Sequence, residues 1–423
     1  MVDVKSLADR PEGRPTGGAD FVVTRAQGGI TAPAGFRTAA VHCGIKAAAD
    51  ALDLAVLAAD TPASAAALFT TNLAQAAPVT VSRRHIERTQ GVARAVVVNS
   101  GCANACTGAQ GLAHARQMAE ETAAAVGCAA EEVLVASTGV IGVALKIERV
   151  VAGIQAAALA LARSNGSDAA RAIMTTDPFP KEDAVTVQTL RGSFSVGGMA
   201  KGSGMIEPNM ATMLGFLSTD AQVAPAVLRR ALQASARDTF NAITVDGECS
   251  TNDSLFALAS GASGVVIDEA LYPALVEGFL SVSRELALGI VRGGEGATKL
   301  IAVTVSDARS VDAARQVART IANSPLVKTA VHGADPNWGR VVAAAGRSGV
   351  TFDIDRATVH VGGILLFEKG LPHDVRAPQA AEHMKGSTVQ IDVSLGSGDG
   401  ASATIWTCDL SAEYVRINGE YRT

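Results

Sequence analysis

The chain of 423 residues is poor in aromatics, which make up 4% of it, and poor in charge, at 18%. With Trp, Tyr and Phe scarce, a core has to be built from Ala, Val, Leu and Ile. There is no basic excess: 36 Lys and Arg face 41 Asp and Glu, a formal charge of −5. That balance, with no basic run, argues against a nucleic-acid surface. No uninterrupted apolar stretch reaches the roughly 18 residues of a membrane span, so no membrane association is expected. Met1–Arg25 mixes Asp, Glu, Arg, Pro and Gly and lacks the apolar segment of a signal peptide. Residues 1–27 are therefore expected to be a flexible lead-in, and the protein to be cytoplasmic. The cysteines, Cys43, Cys102, Cys106, Cys128, Cys249 and Cys408, are irregularly spaced. Cys102 and Cys106 form a C-x-x-x-C with no second pair, a weak zinc pattern; reduced structural thiols are the stronger reading. No metal and no redox cofactor are expected.

What is present is a large apolar fraction, 48%, with 42 glycines. That suits two or three folding units or one large α/β body with close backbone packing. Strand-like runs rich in β-branched residues occupy Ala93–Asn99, Glu132–Ser137, Ala184–Leu190, Lys299–Ser306 and Thr388–Leu395. Helical spacing of apolar residues appears over Gly111–Val126, with Gly127 as its C-cap, over Pro225–Phe240, over Glu269–Val291 and from Asp312 onward. Helices and strands interleave along the chain, which predicts an α/β class with layered sheets.

The segment Gly197–Ala221 is not an ordinary linker. A Gly-rich approach carrying Lys201 meets an apolar run, Ala211–Ser218, expected to be a buried strand. A Thr at the head of such a strand has two readings. One is strand propensity alone. The other is an N-terminal nucleophile exposed by self-cleavage, with its own α-amine as base. The glycines at 197, 198, 202 and 204 would let the chain adopt the strain such a cut needs. Composition alone does not decide between the two.

The string MAKGSGMIEPNMATMLGF, Met199–Phe216, closely resembles the self-processing site of the glutamate N-acetyltransferase family, the ornithine acetyltransferases of arginine biosynthesis. Further strings follow in family order: Gly29–Phe36, Leu68–Asn72, Val97–Gly108, Ala136–Gly142, Ile173–Asp177, Val245–Asp253, Gly293–Lys299, Val331–Arg340 and the tail Ala403–Thr423. The resemblance implies a self-cleaving fold of two linked domains, with mixed β-sheets sandwiched by helices. It places the cut at Ala211–Thr212, giving an α chain ending at residue 211 and a β chain of residues 212–423 that stay together, two of each in a heterotetramer. Thr212 would attack an N-acetyl amide, hold the acetyl group as an ester and pass it to a second amine. The implied reaction moves acetyl from N2-acetylornithine to glutamate. Some family members also take it from acetyl-CoA, and the sequence does not decide that choice.

Residue by residue, the resemblance makes Thr138 and Gly139 the oxyanion donors. It makes Thr175, Lys201, Glu295, Asn418 and Thr423 binding positions, together with Thr212, for amino-acid substrates. An ammonium at Lys201 suits a substrate carboxylate, and a carboxylate at Glu295 suits a substrate amine. On local sequence alone each has a plain alternative: a strand turn at Thr138–Gly139, a helix-end hydroxyl at Thr175, a solvated Lys201, a turn Glu295. The tail has strand-like Tyr414–Ile417, and its docking would bring Asn418 and Thr423 to the site. Pro208 and Asn209 precede the cut and shape its loop. His332 and Asp335 near Trp338 invite a triad reading, but no G-x-S-x-G accompanies them, and the reading is poor. The chain departs from the family pattern at Cys102, Pro178, Glu248 and Cys249, which bears on rate and substrate range rather than reaction class. Two other functions stand beside this one: a self-cleaving aminopeptidase or amidase on a related scaffold, and an uncleaved, non-catalytic amino-acid-binding paralogue.

Overall fold

Two mixed sheets organise the computed structural model, which describes residues 21–48, 50–207 and 213–420. The larger sheet contains β1 Phe21–Ala26, β2 Phe36–Val41, β3 Leu54–Phe69, β4 Val92–Cys102, β5 Val133–Val140, β6 Lys181–Thr189, β7 Gly192–Lys201, β8 Leu214–Thr219 and β9 Ser254–Ala259. Its order is β1-β6-β7-β8-β9-β3-β4-β5, with β2 on β3. The smaller contains β10 Leu300–Ala308, β11 Thr358–Val361, β12 Ile364–Glu368, β13 Leu371–Pro372, β14 Thr388–Ser394 and β15 Ala401–Cys408, in the order β13-β12-β11-β14-β10-β15. The helices are α1 Ala77–Arg88, α2 Gly108–Val126, α3 Ile147–Leu159, α4 Gly166–Ala172, α5 Pro225–Arg237, α6 Tyr272–Arg292, α7 Val311–Ala322, α8 Pro325–His332, α9 Trp338–Gly346, α10 Ala377–Met384 and α11 Ala412–Glu420.

The two parallel pairs of the larger sheet are joined by crossover helices, as parallel strands require: β4–α2–β5 and β8–α5–β9. Every residue of β8 and β9 is buried. That is why their sequences, LGFLST and SLFALA, are nearly continuous apolar runs rather than alternating ones. Leu217 faces a core shared with α5 and α6, and Phe216 faces the opposite core with Ile173 and Phe256. Strand β3 is long enough to serve two neighbourhoods. Its first half pairs with β2 and β4, its second with β9, and its register on β4 shifts between Ala58 and Ala63, around Pro62.

The strand order matters for a cut before residue 212. Strands β8 and β9, from the C-terminal side of that bond, lie between β7 and β3, from its N-terminal side. Both products would contribute strands to one sheet, held by ladder hydrogen bonds along two seams.

The expected strands at Ala93–Asn99, Glu132–Ser137, Ala184–Leu190, Lys299–Ser306 and Thr388–Leu395 coincide with β4, β5, β6, β10 and β14 within a few residues. The expected helices are α2, α5, α6 and α7, and Gly127 ends α2 at a φ of 79°. Two expectations are corrected. Phe21–Ala26, assigned to a flexible lead-in, is strand β1, because it pairs antiparallel with β6 from Phe21–Thr189 to Ala26–Ala184. Residues 1–20 lie outside the described residues. Tyr414–Ile417, expected as a strand, lies inside α11. Arg416 pairs with Glu413 and Glu420 at helical spacing, and these ion pairs with the Asn418 bond to the Tyr414 carbonyl outweigh the β propensity of Tyr, Val and Ile on an exposed element.

Candidate active site

The cavity that gathers the predicted residues lies at the ends of β5, β7, β8 and β9. Lys201 closes β7 and pairs in register with Leu214, which opens β8. The loop between them carries Pro208, Asn209, Ala211 and Thr212, all outside the described residues, as is Thr423. Thr138, Gly139, Thr175, Lys201, Glu295 and Asn418 all line the same cavity of about 140 Å³, so every predicted site residue that is described comes to one place. Sequence separations of more than a hundred residues are closed by the sheet order.

Thr138 and Gly139 sit where β5 ends against β4. Gly139 has a φ of 125°, and a Cβ there would lie 2.4 Å from the Gly101 carbonyl carbon and 2.6 Å from the Cys102 nitrogen. No side chain fits, so the turn depends on glycine for both conformation and space. Asn252 fixes the same strand end, donating through Nδ2 to the Ala103 and Ser137 carbonyls at 2.6 and 2.8 Å. Cys102 is buried beside this turn, its thiol directed at the Val143 carbonyl, and burial pushes its pKa up. It is a packing group there, as the reduced-thiol reading expects.

Lys201 is 9% exposed and lines the cavity. The charge beside it is Asp177, which accepts from Lys181 Nζ at 2.6 Å, from the Gly202 N–H at 2.7 Å and from the Thr175 N–H at 3.0 Å. Burial opposes ionisation of Asp177, but Lys201 and Lys181 together hold its pKa at about 2. Thr175 is thus placed by the carboxylate that follows it in MTTD, and the loop after Lys201 by the same group. Burial pulls the Lys181 pKa down, with Asp177 acting against it.

The Glu295 side of the cavity is built differently. Glu295 is 7% exposed, and its Oε2 accepts from Asn418 Nδ2 at 2.8 Å. Its backbone N–H donates to the Ser203 carbonyl at 3.0 Å. A Cβ on Gly204 would stand 2.4 Å from Glu295 Oε2, so glycine at 204 is what lets the carboxylate approach the loop. Asp246 binds the wall together, accepting from the Met205 and Ile206 N–H groups at 2.7 and 2.8 Å and from the Tyr414 hydroxyl at 3.3 Å. Burial and the Asp246 charge push the Tyr414 phenol up, so it stays a donor. The cavity is lined by both a lysine and a glutamate, with the Thr138–Gly139 turn in the same lining, a set that suits a zwitterionic amino acid.

Sequence reasoning passed over Asp177, Asp246 and Asp253, which line or support this cavity. Their only signal was membership in strings already quoted, MTTD and VDGECSTND. Of the departures, Glu248 lines the cavity, and Cys249 lies 3.7 Å from the Thr70 hydroxyl. Pro178 directly follows Asp177; nothing in the structure ties it to the substrate walls. His332 pairs with Asp409 at 2.7 Å rather than with Asp335, and neither is in the cavity. Among the described residues no group of three or more His, Cys, Asp or Glu is placed to hold a metal ion, and no helix is long and apolar enough to cross a membrane.

The sequence model of the ArgJ family matches residues 37–423. The chain belongs to the ArgJ family. It is similar to the arginine biosynthesis bifunctional protein ArgJ of Symbiobacterium thermophilum, 48% identical over 94% of this chain and 99% of that protein. It is likewise similar to the protein of the same name from Dehalococcoides mccartyi, 47% identical over 94% of this chain and 98% of that one. Among solved structures, the ArgJ crystal structure from Bacillus halodurans aligns with 50% of this chain and 100% of its own, at 38% identity and a TM-score of 0.48. As an ArgJ family member the chain is an acyltransferase of arginine biosynthesis.

Proposed function

We propose that the chain divides itself between Ala211 and Thr212 and then transfers acetyl from N2-acetylornithine to glutamate through an ester on Thr212. The single observation that carries this reading is the convergence of Lys201, Glu295 and the Thr138–Gly139 turn on one cavity beside the loop that holds Thr212. Lys201 takes the α-carboxylate that both substrates possess. Glu295, steadied by Asn418, takes the side-chain amine of ornithine. Thr138 and the Gly139 N–H stabilise the oxyanion formed when Thr212 Oγ adds to the acetyl carbonyl. The C–N bond then breaks, ornithine leaves with the proton, and Thr212 holds the acetyl group. The α-amine of glutamate attacks the ester, its proton passes back to Thr212, and N-acetylglutamate leaves.

Thr175 and Thr423 complete the substrate contacts in this proposal. Acetyl-CoA is proposed as a second acetyl donor to the same Thr212, in keeping with the word bifunctional in the relatives' name. No metal or redox cofactor is proposed. The divided chains are proposed to stay paired through the two seams around β8 and β9, and to assemble as two of each. An aminopeptidase or amidase would pass the acyl group to water; the lysine and glutamate in one cavity favour an amino-acid acceptor.

The test compares the wild type with Thr212→Ala. The wild type should appear as two fragments under denaturing conditions and make N-acetylglutamate from N2-acetylornithine and glutamate. Thr212→Ala should remain whole and inactive. A Thr212→Ala chain that divides and transfers acetyl would overturn the reading.

A further inference from the structure

One acid in the cavity wall has no role in the reaction above. Asp253 stands just before β9, and Leu214 of β8 pairs in parallel with Ser254 of β9. Continuing that register sets Asp253 beside Met213, the residue after Thr212. The Ser254 N–H donates to the Met213 carbonyl at 3.0 Å. Asp253 is 2% exposed, and among the described residues its Oδ2 has no hydrogen-bond partner although it lines the cavity. A buried carboxyl oxygen left without a partner is costly unless the group keeps its proton or meets a ligand.

We propose that Asp253 is the proton carrier for division of the chain between Ala211 and Thr212, an inference that rests on Thr212 being the nucleophile. In the uncut chain Asp253 is a neutral acid. As Thr212 Oγ bonds to the Ala211 carbonyl carbon and the C–N bond breaks, the departing Thr212 nitrogen takes the carboxyl proton. The Asp253 carboxylate takes the proton of the Thr212 hydroxyl. The carboxyl ends as it began, and the chain is left as an ester that water hydrolyses to the Ala211 carboxylate and free Thr212. Burial pushes the Asp253 pKa well up, with the Lys201 charge acting against it, the direction expected of a buried carboxyl oxygen that has no partner. The other titratable groups that face it are few. Lys201 comes from β7 and Cys249 from its own segment, and Asp246, Glu248 and Glu295 line the same cavity.

The experiment follows division of freshly translated full-length chain against time and pH in wild type, Asp253→Asn and Asp253→Ala. Asn keeps the size and a polar group but cannot pass a proton. Asp253→Asn should divide about 100-fold more slowly and lose the wild-type decline at high pH. Formate, a small carboxylic acid, should speed division of Asp253→Ala. Whole protein retaining wild-type secondary structure and a cooperative melt distinguishes lost chemistry from lost fold. Division of Asp253→Asn at the wild-type rate and pH profile overturns the inference alone. A misfolded Asp253→Asn together with Asp253→Ala that formate does not accelerate overturns it too. A wild-type chain that never divides overturns both this inference and the reading it rests on.

Discussion

The two walls of the cavity are built from different material. One consists of strand ends: Thr138 and Gly139 on β5, Lys201 on β7, Asp253 before β9. It is held by ladder hydrogen bonds and by the buried Asp177–Lys181 pair, whose side chains are 0% and 2% exposed. The other consists of a loop and a terminal helix, with Glu295 tied to Asn418 by one side-chain bond and α11 burying no residue. The difference teaches where each task sits. On the proposed reading, the groups that stabilise developing charge and hold the common carboxylate are on the sheet, and the groups that select the side-chain amine are on the loop and the terminal helix.

Substitutions in the rigid wall should therefore lower kcat and stability, and those in the adjustable wall should mainly raise KM. The largest effect is expected for Gly139→Ala, whose Cβ has no room. It should cost about 100- to 1000-fold in kcat with little change in KM, measured on already divided enzyme. A near-normal kcat would remove the turn from the chemistry. Next comes Lys181→Met, which removes the hydrogen-bonded cation from buried Asp177 and leaves it the Lys201 and Lys46 charges. It should lower stability by about 3–5 kcal/mol in urea unfolding. A loss below about 1 kcal/mol would mean that the remaining Lys201 and Lys46 charges compensate Asp177.

The same carboxylate sets an acid limit. Its pKa is 3.8 ordinarily and about 2 in the fold. A lowered folded pKa means the unfolded chain binds the proton first, so the contribution is whole above pH 4 and is lost as pH falls from about 4 to about 2. Unfolding midpoints across that range should drop more steeply in wild type than in Asp177→Asn; equal slopes would contradict the assignment. In the other wall, Glu295→Gln should raise KM for N2-acetylornithine about tenfold, equivalent to about 1.4 kcal/mol, with a smaller change in kcat. Asn418→Ala should give the smallest change, a few-fold in KM, since its bond only orients Glu295. If Asn418→Ala cost more than Glu295→Gln, the orienting role would be reversed.

Much of this was legible in the residues. Runs rich in β-branched residues located β4, β5, β6, β10 and β14. Motif strings named Thr138, Gly139, Thr175, Lys201, Glu295 and Asn418 before the sheet brought them together. Strand β3 was harder to see because it is half alanine, a residue with little strand preference, and is interrupted by Asp60, Thr61 and Pro62. Strand β1 was lost for a similar reason, since much of FVVTRA is exposed on an edge strand and its order comes from pairing with β6. Helix α11 was misread because propensity was weighed without its ion pairs. Asp177 and Asp253 stood in plain view within quoted motifs, but their importance comes from burial and neighbours, which spacing does not carry.

The most direct test of the account mixes divided enzyme with N2-acetylornithine and no acceptor, quenches in acid and measures the mass of each fragment. The account predicts that the fragment beginning at Thr212 gains one acetyl group and loses it when glutamate is added. Consumption of N2-acetylornithine with both fragments unchanged in mass would contradict it.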